Sequence, residues 1–208
     1  MTINPQAADP AAALAPVWRD VLAESHRALT DTVAGVGGDQ WELATPCSEW
    51  NVTQVVQHAA GDQLAYAKTL GVGEGPAYDP FSPSGSLEGT GAELVRAAVE
   101  ETAAAWAAVS DGAETVPTPL PHGELPTPVA AVMCALDAAV HAWDIAVATG
   151  QPSPLNDELA GHLLTASRGL VEPLRQWGAY AAVVENGVTS ANPVVDELLT
   201  YLGRDPRK

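Results

Sequence analysis

The sequence of 208 residues has only two cysteines, Cys47 and Cys134. Two are too few for a disulfide framework or a cysteine-rich metal site. Basic residues are also scarce: nine Lys and Arg stand against 26 Asp and Glu, a formal net charge of −17, and none lies between Arg96 and Arg168. Because nucleic acids and anionic membrane surfaces bind to clustered positive charge, we expect this chain to bind neither.

Long uninterrupted apolar runs are missing as well, so we expect no segment that spans a membrane. The amino-terminal residues lack a basic start followed by an apolar stretch, so no signal peptide is visible. With two cysteines and no export signal, the sequence predicts a protein of the reducing cytoplasm.

Runs of β-branched residues are few, whereas alanine, the best helix former, dominates the 47% of hydrophobic residues. Apolar residues recur at steps of three and four, which is typical of amphipathic helices. This pattern predicts an all-α fold: a lead-in over 1–13, followed by one helical-bundle domain over 14–208. The predicted helices span 14–36, 51–70, 91–109, 127–149, 156–174 and 192–202, and the main connectors are 71–89 and 117–128. Asn51 and Gln54 are a capping pair for the start of the second long helix, and Gly150 is expected to end the fourth.

The fourth long helix carries an unusual set of polar residues. Asp137, His141 and Asp144 are spaced at i, i+4 and i+7, so they share one sector with the apolar stripe of the helix. Because an unpaired buried carboxylate is costly, a partner from another helix or a metal ion has to satisfy them.

His58, on the second long helix, supplies a third candidate ligand. Two imidazoles and the carboxylate of Asp137 would leave an open position on Zn²⁺ or a similar ion, as in catalytic sites. A simpler interpretation stays open at this stage. In it, His141 and Asp137 form an ordinary i, i+4 hydrogen bond, His58 is a core histidine, and Arg27 or Arg96 pairs with Asp137.

The remaining histidines and cysteines are weaker candidates. We expect His26 to lie at a helix edge, His122 in a connector and His162 at the surface. Cys47 precedes a helix start, where a thiolate would be stabilised by the helix dipole, but packing between elements is the commoner outcome. Cys134 is expected in the core.

Two segments resemble a known family. The segment TPCSEWNV (45–52), followed by His58, resembles the first signature of the mycothiol-dependent maleylpyruvate isomerase N-terminal domain family, of the DinB-like superfamily. The segment LDAAVHAWDIA (136–146), followed by TGQ (149–151), is similar to its second signature, and LGRDP (202–206) is similar to the close of its single-domain branch.

The resemblance implies an antiparallel four-helix core and a metal, usually zinc, held by His58, Asp137 and His141. Some relatives use the metal to activate the thiolate of a low-molecular-weight thiol such as mycothiol, which then adds to an electrophile. Asp144 and Asp62 would orient the two histidines without contacting the metal themselves. The connector 71–89 would border the pocket.

Two departures limit what can be carried over. The characterised isomerase has Glu where this chain has Asp137, and it has a separate C-terminal domain that nothing here matches. We therefore expect a thiol-dependent transferase or isomerase acting on a small electrophile, without assigning maleylpyruvate as the substrate. A non-catalytic metal-binding bundle and a hydrolase using metal-bound water remain alternatives, and a homodimer is left open.

Overall fold

A computed structural model describes residues 9–185 and 190–207. The predicted all-α fold is confirmed. The helices are α1 (Pro10–Leu14), α2 (Trp18–Ala34), α3 (Val52–Thr69), α4 (Gly91–Ala108), α5 (Thr127–Thr149), α6 (Asp157–Ser167), α7 (Val171–Arg175) and α8 (Pro193–Tyr201), with a small antiparallel hairpin of β1 (Thr115–Pro117) and β2 (Glu124–Pro126) before α5. Of the predicted lead-in, residues 1–8 lie outside the described part, and α1 begins within the rest.

Helices α2 to α5 form the four-helix bundle. α2 packs against α4 and α5, and α3 packs against the same two helices. His58 of α3 lies beside His141 of α5, whereas Gln63, further along α3, contacts Cys134, so these two helices run antiparallel. α3 and α4 run parallel, because Thr102 of α4 donates to the carbonyl oxygen of Gln63 and the two helix starts also meet. A long crossover, 70–90, makes this parallel pair possible.

Helix α5 is the central helix of the bundle. By length and composition it could cross a membrane, but 94% of its most apolar window is buried inside the protein. Such burial is typical of the core helix of a soluble domain. The helix ends where Gly150 adopts a left-handed conformation, at a φ of 70°, as the sequence predicted.

Side-chain caps fix the starts of α3 and α4. The side chain of Asn51 accepts a hydrogen bond from the backbone N–H of Gln54, and the side chain of Gln54 accepts one from the backbone N–H of Asn51. This reciprocal pair is the capping box expected from the sequence. Thr90 and Glu93 do the same for α4. Both helices therefore begin at defined residues, and the connectors that lead into them are held in place.

Three element predictions were wrong in detail. The helix expected over 14–36 is broken at residues 15–17, because Pro16 cannot continue the backbone ladder. The helix expected over 156–174 divides into α6 and α7 at Gly169, whose φ is 83°. The segment 117–128, expected to be a connector, contains the last residue of β1 and the whole of β2. The two strands pair at Val116 and Leu125, whose side chains are buried.

Candidate metal centre

His58, Asp137 and His141, the three ligands predicted from the sequence, come together between α3 and α5. Oδ1 of Asp137 lies 3.3 Å from Nε2 of His58 and 3.4 Å from Nε2 of His141. Their side chains are 8%, 14% and 9% exposed, in the order His58, Asp137, His141. One ligand atom from each residue thus lies within 4.8 Å of the other two, in a largely buried position.

The outer nitrogen of each imidazole is already engaged. Nδ1 of His58 donates to the carbonyl oxygen of Pro80 at 2.9 Å, and a carbonyl oxygen can only accept, so this nitrogen carries a proton. Nδ1 of His141 donates to Oδ2 of Asp144 at 3.0 Å. In the neutral imidazoles this arrangement leaves the lone pairs on both Nε2 atoms, which face Asp137, as metal ligation requires.

The distances from Oδ1 of Asp137 to the two Nε2 atoms match the spacing of ligands on one metal ion better than the length of hydrogen bonds. Charge-assisted N–H···O bonds are about 2.7–2.9 Å long, shorter than the 3.3 and 3.4 Å seen here. A tetrahedral zinc site with bonds of about 2.0–2.1 Å separates its ligand atoms by about 3.3–3.4 Å. The other carboxylate oxygen, Oδ2 of Asp137, is buried without a hydrogen-bond partner. The donor set and its spacing therefore fit a divalent cation.

The charge on Asp137 is maintained by its neighbours. Burial by itself would raise the pKa of this carboxyl, but a protonated His141, together with His58, holds the pKa below its ordinary value. Burial would lower the pKa of His141, but Asp137 raises it well above its ordinary value. Asp137 is therefore ionised at neutral pH, and a metal ion at Nε2 of His141 would displace a proton from that nitrogen.

A second cluster of polar side chains lies on the Nδ1 side of His141. The sequence had not predicted that two of its members, Cys47 and Arg204, lie together. Arg204, in the tail after α8, donates from Nε to Oδ1 of Asp144 at 2.9 Å and from Nη2 to Oδ2 at 2.6 Å. Sγ of Cys47 lies 3.3 Å from Oδ2 of Asp144 and 3.3 Å from Nη2 of Arg204. Burial would raise the pKa of Asp144, but Arg204 and His141 lower it to about 2.

The two residues expected behind the histidines are placed differently. Asp144 is fully buried and hydrogen-bonds directly to His141, which is the contact its predicted orienting role needs. Asp62 lies one turn beyond His58 and makes no hydrogen bond to either histidine in the described residues. Burial and the charge of Asp137 raise the pKa of Asp62 well above its ordinary value.

Aromatic side chains surround the His58 imidazole. The Trp50 ring lies 4.7 Å from it and the Phe81 ring 5.3 Å, measured between centroids. Phe81 belongs to the connector 71–89 and is 61% exposed. The connector therefore borders the site, through both Phe81 and the carbonyl of Pro80.

One part of the simpler interpretation is wrong, namely the pairing of Arg27 or Arg96 with Asp137, whereas the i, i+4 contact of His141 with Asp137 and the burial of His58 agree with it. Arg27 and Arg96 are both exposed, and neither pairs with Asp137 among the residues described. His26 is buried rather than at a helix edge, and its Nε2 lies 2.9 Å from Oε1 of Gln63. Cys134 is in the core, as expected.

Sequence reasoning missed Arg204 and the position of Cys47. Arg204 lies 60 residues from Asp144 along the chain, outside any helix, so no periodicity could connect the two. The sequence did offer a signal for each residue, since Cys47 lies in the signature-like segment 45–52 just before a helix start and Arg204 lies in the segment LGRDP (202–206).

Comparison with known proteins supports the same assignment of fold and family. The model of the mycothiol maleylpyruvate isomerase N-terminal domain family matches residues 22–146, which contain all three candidate ligands. Two curated relatives from Mycobacterium tuberculosis, strains CDC 1551 / Oshkosh and ATCC 25618 / H37Rv, are both described as uncharacterized proteins. Each is 32% identical over 180 residues, 86% of this chain and 93% of the relative. No solved structure gives a significant match. The chain belongs to the mycothiol maleylpyruvate isomerase N-terminal domain family.

Proposed function

We propose that this protein is a metal-dependent enzyme that activates a low-molecular-weight thiol for attack on a small electrophile. The ligands are His58, Asp137 and His141, and zinc is the ion that best suits two imidazoles and one carboxylate. The observation that carries the proposal is the direction of the two imidazoles: both outer nitrogens are engaged, so both Nε2 atoms face Oδ1 of Asp137.

Three protein ligands suit a catalytic site rather than a closed structural one. When bound, the metal supplies Lewis acidity, which lowers the pKa of a coordinated thiol or water and so provides a nucleophile at neutral pH. The family description names mycothiol, and this supports a thiol as the co-substrate. Transfer of the thiol to the electrophile, or its addition and later release, would give an S-transferase or an isomerase.

The protein contributes orientation and exclusion of water. Pro80 and Asp144 fix the two imidazoles, so the ligands do not have to rearrange when substrates bind. Trp50 and Phe81 cover the His58 side of the site with apolar surface. The exposed Phe81 ring would offer a contact to an apolar part of the electrophile.

The cellular setting that we propose follows from the same chemistry. A free thiol co-substrate and two unpaired cysteines suit the reducing cytoplasm. The partners are then small molecules, a thiol and an electrophile, rather than nucleic acid or membrane.

The test is thiol-dependent conversion of a panel of unsaturated carbonyl compounds by zinc-loaded protein incubated with mycothiol, glutathione or cysteine, followed as loss of the carbonyl compound and, separately, as loss of thiol, which only a transferase would consume. We expect turnover with at least one thiol, loss of turnover after chelation, and loss in the variant His58→Gln. His162→Gln, on α6 and outside the site, is the matched control. Turnover without thiol would instead indicate hydrolysis by metal-bound water. Metal binding with no turnover of any kind would favour the non-catalytic bundle.

A further inference from the structure

Arg204 is the described residue that links the C-terminal tail to the candidate metal centre. Its side chain is only 10% exposed, and its guanidinium binds both oxygens of Asp144, which is fully buried. Such two-point pairing fixes the plane of a carboxylate as well as its position. Asp144 therefore has one orientation in which Oδ2 accepts from Nδ1 of His141.

The tail is itself held in a defined path. The backbone N–H of Arg204 donates to the carbonyl oxygen of Leu199 at 2.8 Å, so the chain folds back onto the end of α8. Gly203 makes this turn at a φ of 84°, and a Cβ added there would lie 2.7 Å from Cβ of Ala181 and 2.9 Å from its carbonyl oxygen. Only glycine therefore fits the position that directs Arg204 inward.

We propose that Arg204 is a positioning residue of the metal centre, acting through Asp144 to hold His141 with Nε2 directed at the metal. The inference rests on the proposed function, because it assigns the tail a role in that same site. A purely structural tether is the competing explanation. It would lower the stability of the protein when Arg204 is replaced, but it would leave the affinity and the ligand field of a bound metal unchanged.

The experiment compares wild-type protein with Arg204→Met, Arg204→Lys and Arg207→Met. Arg207 is the matched control, since it lies in the same tail but is exposed and pairs with Asp205 rather than with Asp144. Cobalt(II) is the probe, because its visible d–d bands report the number and geometry of the ligands. Affinity is measured by competition with a chelator, and the unfolding temperature of each metal-free protein is recorded in parallel.

We expect Arg204→Met to weaken cobalt binding by about 10- to 100-fold, the usual effect of losing a group that orients a ligand, and to change the d–d bands. Arg204→Lys keeps the charge but loses the planar fork, so it should recover only part of the affinity. Arg207→Met should match the wild type. Wild-type affinity and bands in Arg204→Met would overturn the positioning role, whatever happens to the unfolding temperature.

Arg204→Met leaves the buried carboxylate of Asp144 without its cation, and the variant could fail to fold for that reason. The double variant Asp144→Asn with Arg204→Met removes that charge and keeps a hydrogen-bond acceptor for His141. It should fold and, because Arg204 acts through the carboxylate that both proteins lack, it should bind cobalt about as tightly as Asp144→Asn alone. A clear further loss of affinity in the double variant would overturn the proposal, and so would wild-type affinity and bands in Arg204→Lys, which keeps a cation beside Asp144. Failure of the wild type to bind cobalt would instead remove the metal centre itself, and the proposed function with it.

Discussion

Gly61 of α3 lies directly against Pro80, so closely that a Cβ added to the glycine would fall 2.8 Å from Cγ of the proline. The close approach matters because the carbonyl oxygen of Pro80 accepts the hydrogen bond from Nδ1 of His58. Glycine is normally unfavourable within a helix. Here it allows the connector 71–89 to approach α3 and to hold a candidate ligand in place.

The substitution Gly61→Ala tests this packing. The gain in helix propensity should be cancelled by displacement of Pro80, so we expect no increase in the free energy of unfolding and a several-fold weaker affinity for zinc. Gly161→Ala, on α6, is the control, because the nearest atom to its added Cβ is 3.8 Å away. It should stabilise the protein by about 0.5–1 kcal/mol. Urea unfolding and chelator competition measure the two effects, and equal stabilisation by both changes would contradict the packing argument.

Helical periodicity singled out Asp137 and His141, whereas His58 lies on another helix, and the three were assigned as a ligand set from the resemblance to the family. Asp137 and His141 are one turn apart, and both sit on an apolar face where charge is unexpected, so their pattern alone indicated a buried polar site. The capping pair Asn51 and Gln54 likewise placed the start of α3 correctly. Local rules of this kind involve residues close together along the chain.

The parts that sequence reasoning missed depend on distant contacts. Arg204 reaches Asp144 across 60 residues, and Pro80 reaches His58 from an irregular connector across 22. His26 was expected at a helix edge, but Gln63 provides it with a buried hydrogen-bond partner from another helix. No period or motif encodes such pairs, because they arise only when the helices pack.

His26 makes the stability of the fold dependent on pH. Burial lowers the pKa of His26 below the usual 6.5, although its hydrogen bond with Gln63 partly opposes the shift. As pH falls below about 6.5, the unfolded chain takes up a proton at this histidine while the folded chain does not. The histidine therefore reduces stability in acid, by at most about 1.4 kcal/mol for each pH unit between its unfolded and folded pKa values.

The variant His26→Gln should remove this contribution. Between pH 7.5 and 5.5, we expect the free energy of unfolding to fall less in the variant than in the wild type, both stripped of metal. Other titrating groups are common to the two proteins and cancel in the difference. An identical fall in both would show that His26 is not held neutral in the fold.

Asp137 should determine metal affinity more strongly than the residues that orient the histidines. The variant Asp137→Asn removes the charge but keeps the size of the side chain, and we expect its zinc affinity to fall by more than about 100-fold, beyond the usual effect of losing an orienting group. Asp137→Glu restores the carboxylate with one extra methylene in a nearly closed site, so it should bind zinc better than Asp137→Asn but less tightly than the wild type. Affinities follow from chelator competition. An Asp137→Asn protein with wild-type affinity would exclude Asp137 as a ligand.

The central claim is that His58, Asp137 and His141 bind one divalent ion together. The most direct test is the metal content of protein purified without added chelator, measured by mass spectrometry for the wild type, His58→Gln and the control His162→Gln. We predict close to one zinc ion per chain in the wild type and the control, and little metal in His58→Gln. Equal metal in all three proteins, or none in the wild type, would contradict the account.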